Sequence, residues 1–279
     1  MNKRFALITG ASEGFGKSLA FECASRNFNL VLVALPGSGL QNVASFIEKN
    51  FKVLVFFFEH DLSKREECYK LFHEIQQSGI LINILINNAG LGGTHYFTDR
   101  TPEYYYKQIE LNVVTPTLLI YYFLENMERC TPSYILNVGS LASHFSVAKK
   151  GVYSGTKSYL LSFSRSLGRE LKRKRISVST VCPGAMNTTP ILTIQNRKLT
   201  GLGRWSVMNP EDVARITIDS LLAKRELIIP GFWNKLFLLL NKILPKWYKE
   251  LLTDRGFKQA IPQNQGGVKQ IVYPLKPAI

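Results

Sequence analysis

The sequence predicts a doubly wound α/β fold, a parallel sheet of about seven strands with helices on both faces. Three observations predict it. Short, largely apolar runs alternate with amphipathic stretches from Phe5 to Ile229. A glycine-rich turn, Gly10 to Gly16, joins the first run to the first helical stretch. The runs end in glycine or polar residues, where ligands of open α/β sheets sit.

The elements follow in order. Phe5–Ile8 reads as a buried parallel strand, because both of its faces are apolar. Lys17–Glu22 is helical, and Leu30–Ala34 is the second strand. Leu40–Lys49 forms a helix, Val53–Phe58 the third strand, and Lys64–Gln77 a helix. Ile82–Ile86 is the fourth strand and leads into Asn87-Asn88-Ala89-Gly90. Thr101 suits a helix N-cap and Pro102 the first helical position, so one long helix should run toward Met127. Tyr134–Val138 is the fifth strand, Val152–Lys172 the next helix, and Ile176–Val181 the sixth strand, ending at Cys182-Pro183-Gly184. A helix from Asn209-Pro210 to about Ala223 and a short strand, Leu227–Ile229, close the core. Residues 1–230 are expected to form one domain, 231–258 a helical extension, and 259–279 an irregular tail with one strand-like piece, Gln270–Tyr273.

Composition narrows the function classes. Hydrophobic residues make up 46% of 279 residues, enough for a large soluble core. Cys23, Cys68, Cys130 and Cys182 are scattered, which indicates neither a disulfide framework nor a metal site. With no signal-peptide pattern at the start and no apolar stretch of roughly 18 residues, a cytoplasmic setting is expected. The net charge of +15 concentrates in Arg169–Arg175 and Lys224–Lys258. Such charge favours an anionic partner, but no nucleic-acid motif accompanies it.

Tyr153 and Lys157 are one helical turn apart on one face. A cation beside a phenol favours the phenolate, which makes tyrosine a usable acid and base. Ser140, upstream at the end of the fifth strand, can polarise a carbonyl aimed at that phenol. The strand–glycine turn–helix context of Gly10, Gly14 and Gly16 offers a pyrophosphate free backbone N–H groups at a helix N-terminus. Glu13 is an oddity there, an acid beside an anion site.

Together these residues resemble the short-chain dehydrogenase/reductase family. The match is Thr9-Gly10, Gly14, Gly16, Asp61, Asn87-Asn88-Ala89-Gly90, Asn112, Ser140, Tyr153, Lys157, Pro183-Gly184 and Thr188, in that order, across residues 4–230. The resemblance implies a Rossmann-type fold, a nicotinamide cofactor, and an Asn112, Ser140, Tyr153, Lys157 tetrad. By it, Gly10–Gly16 hold the pyrophosphate, Asp61 the adenine, Asn87 to Gly90 the adenosine side, and Met186 and Thr188 the nicotinamide amide. Ser12, Glu13 and Phe15 in the same turn count as cofactor-binding, as do Leu62, Ala89, Pro183 and Gly184. The implied reaction interconverts a carbonyl and an alcohol, with Tyr153 moving the proton and Lys157 lowering its pKa. The resemblance also implies a homodimer or homotetramer. NAD and NADP stay open: Ala34-Leu35-Pro36 lacks both the acid that holds a ribose hydroxyl and the arginines that hold a 2′-phosphate. Lys17 and Ser38 are candidate phosphate partners.

The substrate side reads less clearly. Residues 188–207 are expected to form a mobile lid, and Leu91, Gly92, Gly93, Leu141 and Ala142 to border the pocket. No acid-binding clamp stands out, so an apolar or lipid-like substrate, such as a 3-oxoacyl compound, is expected. Trp233, Leu236, Phe237, Leu240, Leu244, Trp247, Tyr248 and Leu251 recur at helical spacing, with a break at Pro245. That amphipathic stretch either packs on the protein or lets 232–252 lie on a membrane surface. The alternative function is a non-catalytic cofactor-binding or membrane-surface protein on the same fold.

Overall fold

A computed structural model of the chain describes residues 4–243. The expected break at Pro245 and the tail, including Gln270–Tyr273, lie outside the described residues. The sheet has seven strands, all parallel, in the order β3-β2-β1-β4-β5-β6-β7. They are β1 Arg4–Thr9, β2 Asn29–Ala34, β3 Val55–Glu59, β4 Leu81–Asn87, β5 Ser133–Val138, β6 Ile176–Val181 and β7 Leu227–Ile228.

Side chains alternate along each strand, so the apolar runs feed two separate cores. Ala6, Ile8, Leu30 and Leu32 face α1 (Gly14–Ser25), α2 (Leu40–Asn50) and α9 (Pro210–Leu222). Phe5, Leu7, Val31 and Val33 face α3 (Arg65–Gln77), α5 (Thr115–Glu128) and α6 (Gly151–Leu171). Burial on both faces explains why β1 and β2 are near-continuous apolar runs rather than alternating, while β4, β5 and β6 bury a few polar residues such as Asn83, Asn137 and Ser179. β3 departs from this. It lies at the sheet edge, starts two residues later than expected, and leaves Phe56 and Phe57 about two-fifths exposed.

The chain builds β1, β2 and β3 outward in one direction, then returns to place β4 on the other side of β1. The loops after β1 and β4 therefore diverge and open a crevice at the strands' carboxyl ends.

One helical expectation changes. The long helix from Pro102 is interrupted. α4 (Pro102–Ile109) passes through a π-turn over Glu110–Val114 before α5 begins. Thr115 stabilises the wider turn by donating its hydroxyl to the Glu110 carbonyl at 3.0 Å. Residues 188–207, the expected lid, contain two short helices, α7 (Pro190–Arg197) and α8 (Gly201–Trp205). After β7, α10 (Phe232–Ile243) packs back on the core through Phe237, whose ring lies 5.1 Å from that of Phe145.

Candidate active site

The glycine turn is held from below by two side chains. Thr9 Oγ1, at the end of β1, accepts from the backbone N–H groups of Asn88 and Ala89, each at 3.0 Å. Asn88 Nδ2 donates to the carbonyls of Thr9 (2.9 Å) and Gly10 (3.1 Å). These bonds stitch the β1 loop to the β4 loop across the crevice. Gly10 sits at φ +65°, a left-handed conformation that glycine adopts without a Cβ penalty. A Cβ on Gly16 would lie 2.0 Å from the Gly10 carbonyl oxygen, so only glycine lets α1 start this close to the strand.

The N-terminus of α1 is left open for an anion. Its N-cap, Glu13, is exposed and makes no side-chain capping bond, and the first turn carries no acid. The unused N–H groups and the helix dipole face the crevice. Phe15 is buried in the core, so it offers a ligand only its backbone. Thr188 crosses from the β6 loop to cover Gly14, where an added Cβ would come within 3.2 Å of Thr188 Cβ. Ser12 lies between them on the turn, half-buried.

Other expected cofactor residues are already engaged. Asp61 accepts from Ser63 N (3.2 Å) and Ser63 Oγ (2.6 Å), with Lys107 Nζ at 3.5 Å. Burial pushes the Asp61 carboxyl upward, but the Ser63 bonds and the Lys107 charge outweigh it and hold the group below its ordinary value. Leu62 packs in the core while its carbonyl accepts from Thr115. Asn87 is buried, donating from Nδ2 to Asn137 Oδ1 at 2.8 Å. Pro183 accepts from Leu141 N at 3.0 Å. Met186 bridges to Met208, and Gly184 packs so tightly on Asn234 of α10 that a Cβ would lie 2.5 Å from its Oδ1.

The candidate catalytic residues converge on the same end of the sheet. Asn112 sits on the π-turn, fully buried. Its Oδ1 accepts from Leu91 N (2.8 Å), and its Nδ2 donates to Leu91 O (2.9 Å) and Thr156 Oγ1 (3.1 Å). Thr156 in turn donates to the Tyr153 carbonyl at 2.7 Å, tying the π-turn to α6. Lys157, buried, donates to the Val138 carbonyl at 2.7 Å. A Cβ on Gly90 would touch both Asn112 Oδ1 (3.1 Å) and Lys157 Nζ (3.4 Å), which places all three together. Ser140 begins the short turn Leu141–His144, and its Oγ accepts from Ala142 N at 3.2 Å.

The electrostatics differ from the sequence expectation. Burial pushes the Tyr153 phenol above its ordinary value, and the hydrogen bond with Ser140 opposes that shift. The cation does not lower it here. Lys157 Nζ lies 6.0 Å from the Tyr153 ring centre, and burial depresses the amine itself to about 8.

In front of Tyr153 lies a pocket of about 250 Å³. Gly93 borders it as expected, and Gly92 stacks on the phenol, an added Cβ meeting Tyr153 Cε2 at 3.4 Å. The other walls were not anticipated: His95, Tyr96, Phe97 and Tyr105 on one side, Val147 to Val152 on the other. The available signal was the aromatic density of His95-Tyr96-Phe97 and Tyr104-Tyr105-Tyr106, which no spacing rule links to a pocket. Thr9 and Asn88, part of the sequence match, hold the two loops together, and Thr156, which the sequence does not single out, ties Asn112 to α6.

Comparison with known proteins agrees with this geometry. A very-long-chain 3-oxoacyl-CoA reductase of Coprinopsis cinerea is 33% identical over 180 residues, 63% of this chain and 53% of that protein. The human protein called inactive hydroxysteroid dehydrogenase-like protein 1 (Homo sapiens) is 28% identical over 248 residues, 88% of this chain and 73% of that one. The structure of a short-chain dehydrogenase from Sphingobium yanoikuyae in complex with NADPH superposes with a TM-score of 0.73. It is 26% identical and covers 95% of this chain and 98% of its own. The short chain dehydrogenase family model matches residues 4–199, and the chain belongs to that family.

Proposed function

We propose that this protein interconverts a carbonyl and an alcohol using NAD or NADP, with Tyr153 as the proton donor and acceptor. One observation carries the reading. Tyr153, Ser140, Lys157 and Asn112, from three separate elements, meet at the crevice beside an uncapped helix N-terminus. Gly10 to Gly16 and Thr188 fit a dinucleotide, since an anion there meets the N–H groups of a helix whose first turn carries no acid. The nicotinamide, when bound, supplies or accepts the hydride.

The chain's own residues do the rest. Ser140 Oγ donates to the substrate oxygen and orients it toward Tyr153. The phenol, kept protonated by burial, gives up its proton to that oxygen in reduction and regains it in oxidation. Lys157, with its amine depressed to about 8, exchanges protons near neutral pH and can restore the one Tyr153 loses. Asn112 and Thr156 hold the turn that carries both groups. The aromatic walls offer ring faces that suit an apolar or lipid-like substrate such as a 3-oxoacyl compound.

Tyr153→Phe tests this. Cofactor binding should be nearly unchanged, while turnover falls by about 10²–10⁴, the usual contribution of a positioned acid–base group. A variant that keeps most of its activity overturns the role of Tyr153. A wild-type chain that binds cofactor yet turns over no carbonyl compound favours the non-catalytic alternative, which the inactive human relative keeps in view.

A second reading concerns the membrane surface. No helix among the described residues is long and apolar enough to cross a membrane. α10 nevertheless exposes Phe232 (69%) and Leu239 (55%), and its Trp233 ring lies 4.9 Å from that of the exposed Trp205 of α8, tilted by 37°. We read this face, with Lys235 and Arg204 beside it, as a peripheral contact for anionic lipid. Truncating α10 would also remove Asn234 from beneath Gly184, so point variants are cleaner. Phe232→Asp with Leu239→Asp should abolish co-flotation with phosphatidylglycerol vesicles; undiminished flotation overturns the contact.

A further inference from the structure

The pocket in front of Tyr153 carries a charge pattern that an apolar substrate alone does not use. Lys149 and Lys150 both line it, and no carboxylate does. Lys149 Nζ lies 4.1 Å from the centre of the Tyr96 ring, and Lys150 Nζ lies 5.4 Å from the centre of the Tyr153 ring. Among the described residues Lys149 has no ion pair. The nearest acid in sequence on the facing wall, Asp99, is occupied in accepting from Tyr96 N at 2.8 Å. Lys149 also adopts φ 63°, a left-handed conformation that a side-chain-bearing residue rarely takes. That backbone is fixed by His95 N, which donates to the Lys149 carbonyl at 3.0 Å and so ties the two walls together. Strain of this kind persists where the surroundings over-determine it, and it concentrates at functional sites. Burial further depresses the Lys150 amine, as expected for a cation held against an apolar wall.

Resting on the carbonyl–alcohol reading of the same site, we propose that the substrate is a carbonyl compound with an apolar body and an anionic group, the anion seated on Lys149 and Lys150. The aromatic walls cover the body, Tyr153 meets the carbonyl, and the two ammonium groups neutralise a carboxylate, sulfate or phosphate. The Tyr96 ring covers only one side of the Lys149 ammonium, so its charge stays available to an anion. A pocket of about 250 Å³ holds a ring or short chain, so the anion lies within a few bonds of the reacting carbon or at the pocket mouth.

The test compares 5-oxo-5-phenylpentanoate with its methyl ester, which has the same body without the charge. Binding to the full-length chain is measured by titration calorimetry at low and at high salt. The acid should bind about tenfold more tightly at low salt, and the ratio should shrink as salt screens the pair. Lys149→Met should bring the ratio toward one, and Lys149→Arg should keep it. Equal binding of acid and ester, or a ratio unchanged in Lys149→Met, overturns the proposal. Reduction of the two ketones with NADH and NADPH is followed separately. An acid preference in binding without reduction of either compound supports the anion site and counts against the carbonyl–alcohol reading. Reduction of both with no preference in binding does the reverse.

Discussion

The half of this crevice proposed for the cofactor and the half proposed for the substrate are built from different material. On the cofactor half the contacts are made by backbone: glycines at fixed conformations, N–H groups at a helix N-terminus, and two side chains, Thr9 and Asn88, that hold loops to each other. On the half proposed for the substrate the walls are side chains: a layer of rings from His95 to Tyr105 facing Val147 to Val152. Backbone sites tolerate almost no change, because a Cβ in the wrong place moves the chain. Side-chain sites tolerate change and convert it into altered binding. A family that keeps one cofactor and varies its substrate needs this division.

The sharpest way to break the comparison is to add one methyl group on the cofactor half. In an ordinary helix Gly→Ala stabilises by about 1 kcal/mol. Gly16→Ala instead sets its Cβ 2.0 Å from a backbone oxygen, so the turn must shift. We expect a net destabilisation of about 3 kcal/mol, at the upper end for overpacking, together with loss of nicotinamide binding. Thermal melts and a cofactor titration read both. A variant as stable as the wild type, binding cofactor normally, would show that the turn is not rigid.

Protonation gives the next largest effect. Lys157 has its folded pKa depressed to about 8 from 10.5. At pH between those values the unfolded chain holds the proton and the folded chain does not, so the stability from this group rises with pH. Below about 8 the buried charge disfavours folding in full. The four buried thiols act oppositely: their folded pKa values are raised, so they lose stability as pH climbs past about 9. The difference between wild type and Lys157→Met isolates the amine. From pH 8 to 9 the wild type should gain up to about 1 kcal/mol relative to the variant, one proton's worth per unit. A flat difference would place the Lys157 amine at its ordinary pKa.

The same division explains what could be read from the chain. The sheet was legible because strands buried on both faces read as near-continuous apolar runs, as in Leu30 to Ala34, and because glycines mark turns. The crevice followed, since its landmarks sit at strand ends. Asn112 was legible as a position but not as a π-turn; the wider turn depends on Thr115 reaching back to Glu110, which leaves no pattern in hydrophobic spacing. The direction at Tyr153 was misjudged for a related reason. Sequence spacing puts Lys157 one turn away, but only the packing shows that its amine points at the Val138 carbonyl, 6.0 Å from the ring centre. Nothing local in the apolar run Val53–Phe58 says that β3 lies at the sheet edge.

Phe97 offers the finest test of the difference between the halves. It is 72% exposed, and its ring stacks on Tyr105 at 5.0 Å with an interplanar angle of 17°. Its carbonyl accepts from Tyr105 Oη at 2.6 Å, a bond that survives substitution because it uses backbone. Phe97→Ala therefore removes one largely solvated ring and should cost less than about 1 kcal/mol of stability, the lower range for an aromatic pair. Burying that ring against a substrate body is worth about 1.5–3 kcal/mol, so KM for an apolar ketone should rise roughly tenfold or more while kcat holds. A ring that serves only the fold would reverse this, lowering the melting temperature and leaving KM unchanged. If kcat fell with KM constant, the ring would instead be acting on the position of Tyr153, and the substrate half would share the rigidity of the glycine turn.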